Sequence, residues 1–292
     1  MKNYTKSILL PLLGILSLAS CSDKSQAEAG FEMKVVAENP TTLLVRTELG
    51  DNGLTPLWTA HEQIGITFGQ GSFPLTGENT TSAASTTFSG KVSVPTEATQ
   101  FYAFHPHTAQ TNGTEVWFTI PTTQQGGNNF PHDILISQAT SISTDGNPIA
   151  LSFTRHSALI NIVMKINGVT KIDPQTARIA FIAFSHNSEG NFLTGKAPAN
   201  LTNGVLGAVA KEGQYNILSD YTQSFPVLQD QLSSYMTCFP VSIAAGAELV
   251  FGWTLADYTT IQKTVTLTKP IEIRAGHIVT FNVTITDQEI GK

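Results

Sequence analysis

After residue 30 the apolar positions recur at every second residue over short runs, and turn residues separate the runs. That period belongs to half-buried β-strands. Phe31, Met33 and Val35 fall on one side of an extended chain, with Glu32 and Lys34 on the other. The same alternation predicts strands over residues 63–68, 85–94, 100–104, 115–120, 133–137, 149–153 and 158–166. Between them lie Gly69-Gln70-Gly71, residues 77–82, Asn112-Gly113 and Gly126-Gly127-Asn128-Asn129, which are turn and loop chemistry. A break falls near Asn167-Gly168. The pattern restarts over residues 177–185, apolar on both faces and therefore expected to be a central strand. It continues over 215–218, 225–228, 235–241, 248–255, 261–267 and 277–285. The pattern holds no amphipathic helix longer than two turns and no repeat of the solenoid kind.

In the last run Val279, Phe281, Val283 and Ile285 share one face, while Ile278, Thr280, Asn282 and Thr284 share the other. Its apolar ladder matches that of Phe31, Met33 and Val35 in type and period. Either strand could cover a similar groove, or the last strand could simply close its own sheet pair. A slip of one residue would turn either apolar face outward.

Composition agrees with strands and turns: only 13% of the 292 residues are charged, and Thr, Ser and Gly abound. The length admits about two domains. Sixteen basic residues face 22 acidic ones, a net charge of −6. Without residues 1–20, which hold Lys2 and Lys6, the balance is 14 against 22, or −8. A chain this acidic, with no Lys/Arg cluster, is a poor partner for nucleic acid or for anionic lipid by charge alone.

The N-terminus carries the strongest local signal. Lys2 and Lys6 precede an apolar run from Ile8 to Leu18, too short to span a bilayer and of the length of a signal peptide. Leu18-Ala19-Ser20-Cys21 closes it in the manner of a bacterial lipoprotein, which makes Cys21 the expected lipid attachment point. Residues 21–30 then form a polar tether. With Cys21 acylated, Cys238 is single, sits in an apolar run, and is expected to be a buried thiol.

Candidate chemistry is sparse. His105 and His107 are two apart, and His132 adjoins Asp133, but no zinc, calcium or phosphate-loop spacing accompanies them. His156-Ser157 adjacency gives no triad geometry. Trp58, Trp117 and Trp253 with Tyr102 could line a sugar-binding surface or lie buried in sandwiches. With no constellation of acid, base or nucleophile, the expectation is a non-enzyme without cofactor or metal.

Several short motifs recur in a fixed order: Val45-Arg46-Thr47, Trp58, Ile64-Gly65-Ile66, and residues 101–106 (FYAFHP). Then come Ile120-Pro121 with Gln124, Asp133-Ile134-Leu135, residues 151–160 (LSFTRHSALI), and Ala275-Gly276-His277-Ile278-Val279. Together with the lipobox, this set resembles the fimbrillin family, the pilin-like proteins of type V fimbriae. Ala60-His61-Glu62-Gln63 departs from the Gly-Asp that often precedes the Ile-Gly pair in that family.

The resemblance implies an all-β chain of two tandem transthyretin-like β-sandwiches, over residues 31–170 and 171–292, after the signal peptide (1–20) and tether (21–30). It also implies export as an outer-membrane lipoprotein and a shaft or tip role in a cell-surface fimbrium, with other fimbrial subunits as partners. An arginine-specific protease would cut between Arg46 and Thr47, and a neighbour's strand would replace the released one. Phe31, Met33, Val35, Val279, Phe281, Val283 and Ile285 are the residues expected to take part in that exchange. The alternatives are a glycan- or ligand-binding surface lipoprotein, or a fimbrial anchor, that keeps Cys21 and is never cut.

Overall fold

The computed structural model describes residues 31–38, 44–45 (backbone only), 57–107, 111–127, 130–143 and 145–291. Cys21, Arg46 and Thr47 lie outside them. The described residues are strands and turns, with a single 3-10 turn at Asp287–Glu289. The chain is all-β, as its alternation predicts. No described helix is long and apolar enough to cross a membrane.

The largest sheet begins with β1 (Phe31–Glu38); β2 (Leu44–Val45) belongs elsewhere. It continues with β3 (Gln63–Thr67), β4 (Phe73–Gly77), β5 (Ser85–Val92) and β6 (Gln100–His105). In space the order is Ile149–Leu151, β1, β5, β4, β3, β6, Leu135–Ser137, Phe153–Arg155, with Thr140–Ser141 also paired to β6. One face carries Met33, Val35, Ile64, Ile66, Leu75, Phe88, Phe101 and Ala103 in one core. The opposite face places Tyr102 and Phe104 in another, against Phe118 and Ile120 of Glu115–Ile120 and Ala197 and Ala199 of Gly195–Asn200. β6 therefore alternates between two apolar cores, which is why Phe101 to His105 are all buried.

Gly65 explains part of that packing. It lies opposite Phe104 across the β3–β6 ladder, and a Cβ there would fall 2.3 Å from the Phe104 ring. The missing side chain lets the far end of the ring approach the Gly65 backbone closely.

A third core joins two sheets face to face. Ala158–Ile166 runs between Gln231–Cys238 (antiparallel) and His277–Ile285 (parallel). Its inward Ile160, Ile162 and Met164 meet Ile182, Phe184, Phe251 and Trp253 of the facing sheet. The strand Ile179–His186 is central there, between Asn216–Asp220 and Glu248–Leu255, as its two-faced apolarity predicts.

The break at Asn167-Gly168 does not separate the pairings. Ala158–Ile166, Glu115–Ile120 and Thr123–Gln125 all pair with strands that follow it. Local turn chemistry marks where a strand ends and carries nothing about its distant partner. Two expected strands also shift. Residues 225–228 form no strand, with only Val227 bridging to Arg178 and Phe225 at φ +39°. The strand expected over 235–241 runs instead over Gln231–Cys238. β4 and Gly195–Asn200 were hidden by Pro74 and Pro198, residues that count against a strand interior.

Candidate functional site

The first strand fills a slot. Eight antiparallel rungs join β1 to β5, from Phe31↔Val92 to Glu38↔Ser85, and three parallel rungs join Val35, Val36 and Ala37 to Ile149–Leu151. Both edges of β1 are thus paired. Met33, Val35 and Ala37 point into the core with 1%, 0% and 0% of their surface exposed, while Phe31 is 37% exposed at the mouth. Phe31 keeps the parity the alternation predicts, yet the deeply buried trio is shifted by one step and ends on alanine. Outside, Lys34 and Glu78 form an exposed ion pair at 3.7 Å, worth little in water.

The inner end of the slot is closed by Trp58. Its indole Nε1 donates to the Ala37 carbonyl at 3.1 Å. The ring, fully buried, meets Phe88, His105 and Phe153 edge-on with centroids 5.0, 5.7 and 5.8 Å away. Its backbone exchanges two hydrogen bonds with Ala83, Trp58 N–H to Ala83 O at 2.7 Å and the reverse at 2.9 Å. Asn79 Nδ2 donates to the carbonyls of Trp58, Thr59 and Thr81 at 3.2, 3.0 and 2.8 Å. Trp58 is therefore held independently of the strand it contacts.

Behind Trp58 lies a buried polar cluster. His105 Nε2 meets Glu62 Oε1 at 2.8 Å, and its Nδ1 meets the Asp133 carbonyl at 2.7 Å. Arg155 Nε donates to both Asp133 carboxylate oxygens, at 3.0 and 2.7 Å. The Ser157 hydroxyl also donates to Asp133, and its oxygen accepts from the Ile134 N–H at 3.0 Å. Burial works against charge on Glu62, but the hydrogen bond and charge of His105, with the Thr59 N–H and hydroxyl, hold its carboxyl below the ordinary range. Burial likewise opposes charge on His105, and Glu62 outweighs it and raises the imidazole. With both ring nitrogens engaged, His105 has no lone pair to offer a metal. Among the described residues no three His, Cys, Asp or Glu gather as a metal site.

The other sequence candidates lie apart from this slot. Val279, Phe281, Val283 and Ile285 belong to His277–Ile285, which makes eight parallel rungs with Ala158–Ile166. Val283 and Ile285 are buried, and Phe281 stacks on Phe184 at 5.1 Å. β2 pairs with the far edge of this strand at His277 and Ile278. Trp58, Trp253 and Tyr102 are buried in three different cores and form no exposed sugar platform. Cys238 is buried, and burial pushes its thiol far above the ordinary range. His107 follows the cis His105–Pro106 bond and does not share a strand face with His105.

Ala37 could have been found from sequence by extending the Phe31-Met33-Val35 period one more step. The Trp58 hydrogen bond and the Glu62–His105 and Asp133–Arg155 pairs could not, since partners 21 to 43 residues apart leave no local trace. Gln124 is similar: its amide donates to the Thr237 carbonyl at 2.7 Å and accepts from the Thr237 N–H at 2.9 Å, standing in for a strand rung.

A family model described as fimbrillin-like matches residues 46–292. A crystal structure described as a candidate cell adhesion protein from Bacteroides uniformis superposes with a TM-score of 0.56 at 18% identity, covering 89% of this chain and 94% of its own. Another so described, from Bacteroides ovatus, gives 0.55 at 13% identity over 90% and 95%. At these identities the likeness shows the fold. No curated protein matches the chain.

Proposed function

The chain belongs to the fimbrillin-like family, and on that premise we propose that it is a non-enzymatic, cell-surface fimbrial subunit, shaft or tip, that contributes to adhesion. In this reading residues 1–20 direct export, Cys21 carries lipid at the outer membrane, and an arginine-specific protease cuts between Arg46 and Thr47. The cut releases β1 and β2 together. The remainder is two sandwiches of the transthyretin-like kind; Ala158–Ile166 pairs with strands of the C-terminal half, as do Glu115–Ile120 and Thr123–Gln125.

The observation that carries the reading is β1 itself. It is a mid-sheet strand, buried along one face, that ends eight residues before the only arginine in the first 150. Its departure would uncover the apolar surface opposite Met33 and Val35, each worth roughly 1.5–3 kcal/mol of burial, and two strand edges without partners. A slot of that kind favours strand addition from another chain. Donor and acceptor surfaces differ, so the contact is head-to-tail and extends into a filament. Use of residues 277–285 as the donor would first require breaking eight rungs to Ala158–Ile166. It would also require releasing the tail, where Thr286 and Glu289 cap the last turn and Ile290 bridges to Ile261.

The test is N-terminal sequencing of material sheared from the cell surface, beside an Arg46→Ala variant. Mature protein starting at Thr47, and laddered polymers lost in the variant, support the proposal. Unchanged polymers in the variant would reject the proteolytic trigger. Protein starting at lipidated Cys21 with no polymer would leave an anchor or a ligand-binding lipoprotein.

A further inference from the structure

The slot admits two registers that the hydrophobic pattern cannot tell apart. A slip of β1 by two residues keeps every inward side chain inward. It would place Phe31 where Met33 is, Met33 where Val35 is, and Val35 where Ala37 is. By apolar area alone that register is better, because a phenylalanine would be buried and an alanine given up. The structure nonetheless holds Phe31 at the mouth and Ala37 at the inner end. Something other than hydrophobicity therefore sets the register.

The geometry points to Trp58 as that element: a register gate that accepts only a small residue at the inner end of the slot and hydrogen-bonds its carbonyl. Three observations support this. The indole is bracketed by Phe88, His105 and Phe153 and cannot swing away. Its backbone is fixed by Ala83 and Asn79, and no β1 residue contributes to that hold. Its single donor reaches one carbonyl, that of Ala37; a strand slipped by two residues still offers a carbonyl there, so the choice between registers falls on the size of the side chain beside the indole. At the other end the long Met33 side chain lies opposite Gly90, where Pro74 and Leu75 take the space a Gly90 side chain would need. The middle rung sets Val35 against Phe88. The slot thus reads inward as long, β-branched, small.

This inference rests on the proposed strand exchange and deepens it. The strand a neighbouring subunit donates carries that three-step pattern, with alanine or glycine at the position of Ala37. Phe31-type residues stay at the mouth.

The test is intramolecular and uses the uncut full chain, so it fails independently of cleavage or polymerisation. Two cysteine pairs are placed on the outer face, in a Cys21→Ser background. Val36→Cys with Thr87→Cys reports the native register, in which those residues are directly opposed. Lys34→Cys with Thr87→Cys lies two positions off, beyond disulfide reach, and closes only after a two-residue slip. With the native β1 only the first pair cross-links. Exchanging the sizes, Val35→Ala with Ala37→Val, moves the small residue two places along and is expected to abolish the native cross-link and create the slipped one. Trp58→Phe, which keeps a ring but removes the donor and frees space, is expected to allow both. A size exchange that leaves the native cross-link alone intact would overturn the inference. Should that variant fail to fold, a Trp58→Phe protein that still shows only the native cross-link would overturn it equally.

Discussion

Met33→Ala tests which residues of the first strand hold it in place. The change removes three non-hydrogen atoms from a side chain that is 1% exposed and faces Gly90 across the ladder. At about 0.8 kcal/mol per buried methylene equivalent the lost transfer energy is about 2.4 kcal/mol. Gly90 has no side chain to relax into the gap, so a cavity contribution adds to this. The expected loss is about 2–5 kcal/mol. Val35→Ala removes two methyl groups from a fully buried position, for about 1.6 kcal/mol plus a smaller cavity contribution. Phe31→Ala strips a larger side chain from the mouth, where more than a third of its surface is already in water, and should cost only about 1 kcal/mol. Urea unfolding followed by tryptophan fluorescence reads all three as shifts in midpoint at constant slope. The order Met33, Val35, Phe31 is the expected result. A Phe31→Ala variant as unstable as Met33→Ala would refute the burial pattern and favour a strand seated two residues further in.

Three other outcomes follow from the core and its polar cluster. The Glu62–His105 pair makes stability depend on pH on both sides of neutrality. The lowered Glu62 contributes fully above its ordinary value near ~4.5 and loses that contribution as pH falls through its folded value. The raised His105 contributes fully below ~6.5 and loses it as pH rises through its folded value. Urea midpoints measured from pH 4 to 9 should therefore peak between these limits, and Glu62→Gln should flatten the alkaline side. Arg155→Leu leaves Asp133 buried without its guanidinium partner and should cost about 3–5 kcal/mol; a thermal shift no larger than that of a surface substitution would contradict it. Gly65→Ala drives a Cβ into the Phe104 ring and should cost about 1–3 kcal/mol, most of it recovered in a Phe104→Leu background when the two changes are compared in a double-mutant cycle.

Strand positions were legible because alternation is a local property: 115–120, 158–166, 248–255 and 277–285 match the observed strands to the residue. Strands carrying Pro74 or Pro198 were hidden because the residue that argues against pairing happens to sit where no second rung is needed. Pro74, for example, pairs with Gly65 of β3 but not with β5, whose rungs to β4 begin at Thr76↔Ser89. The sheet assignment of Ala158–Ile166 was illegible for a different reason. Its partners lie more than 65 residues onward, and an apolar strand of nine residues fits any core. The slot was half legible: the inward face of β1 follows from period, but on the inference above its register depends on Trp58, which no period reports. Cys21, Arg46 and Thr47, the residues on which processing turns, are legible only as sequence motifs.

A strand that is to be replaced must leave behind a slot that waits for its successor. Most core strands could not do this, because the side chains around them would collapse into the space. Here the inner end of the slot is held by contacts that do not involve β1. Asn79 ties three carbonyls around Trp58, and the Glu62–His105 and Asp133–Arg155 pairs fix the side chains behind it. On the proposed cycle the inner end of the empty slot therefore keeps its shape, while Ile149–Leu151 loses its sheet neighbour, and the side-chain cost of vacancy is concentrated in few places. These are two large apolar positions at roughly 1.5–3 kcal/mol each and one buried indole donor without an acceptor at about 1–3 kcal/mol. A replacement with a small residue at the inner end recovers all of it at once, whereas one with a large side chain there is held away from the indole and leaves its donor unpaired. That difference, about 1–3 kcal/mol, corresponds to roughly 5- to 150-fold discrimination between strands of equal hydrophobicity. A rigid polar pin beside an apolar groove thus converts a generally sticky site into a selective one.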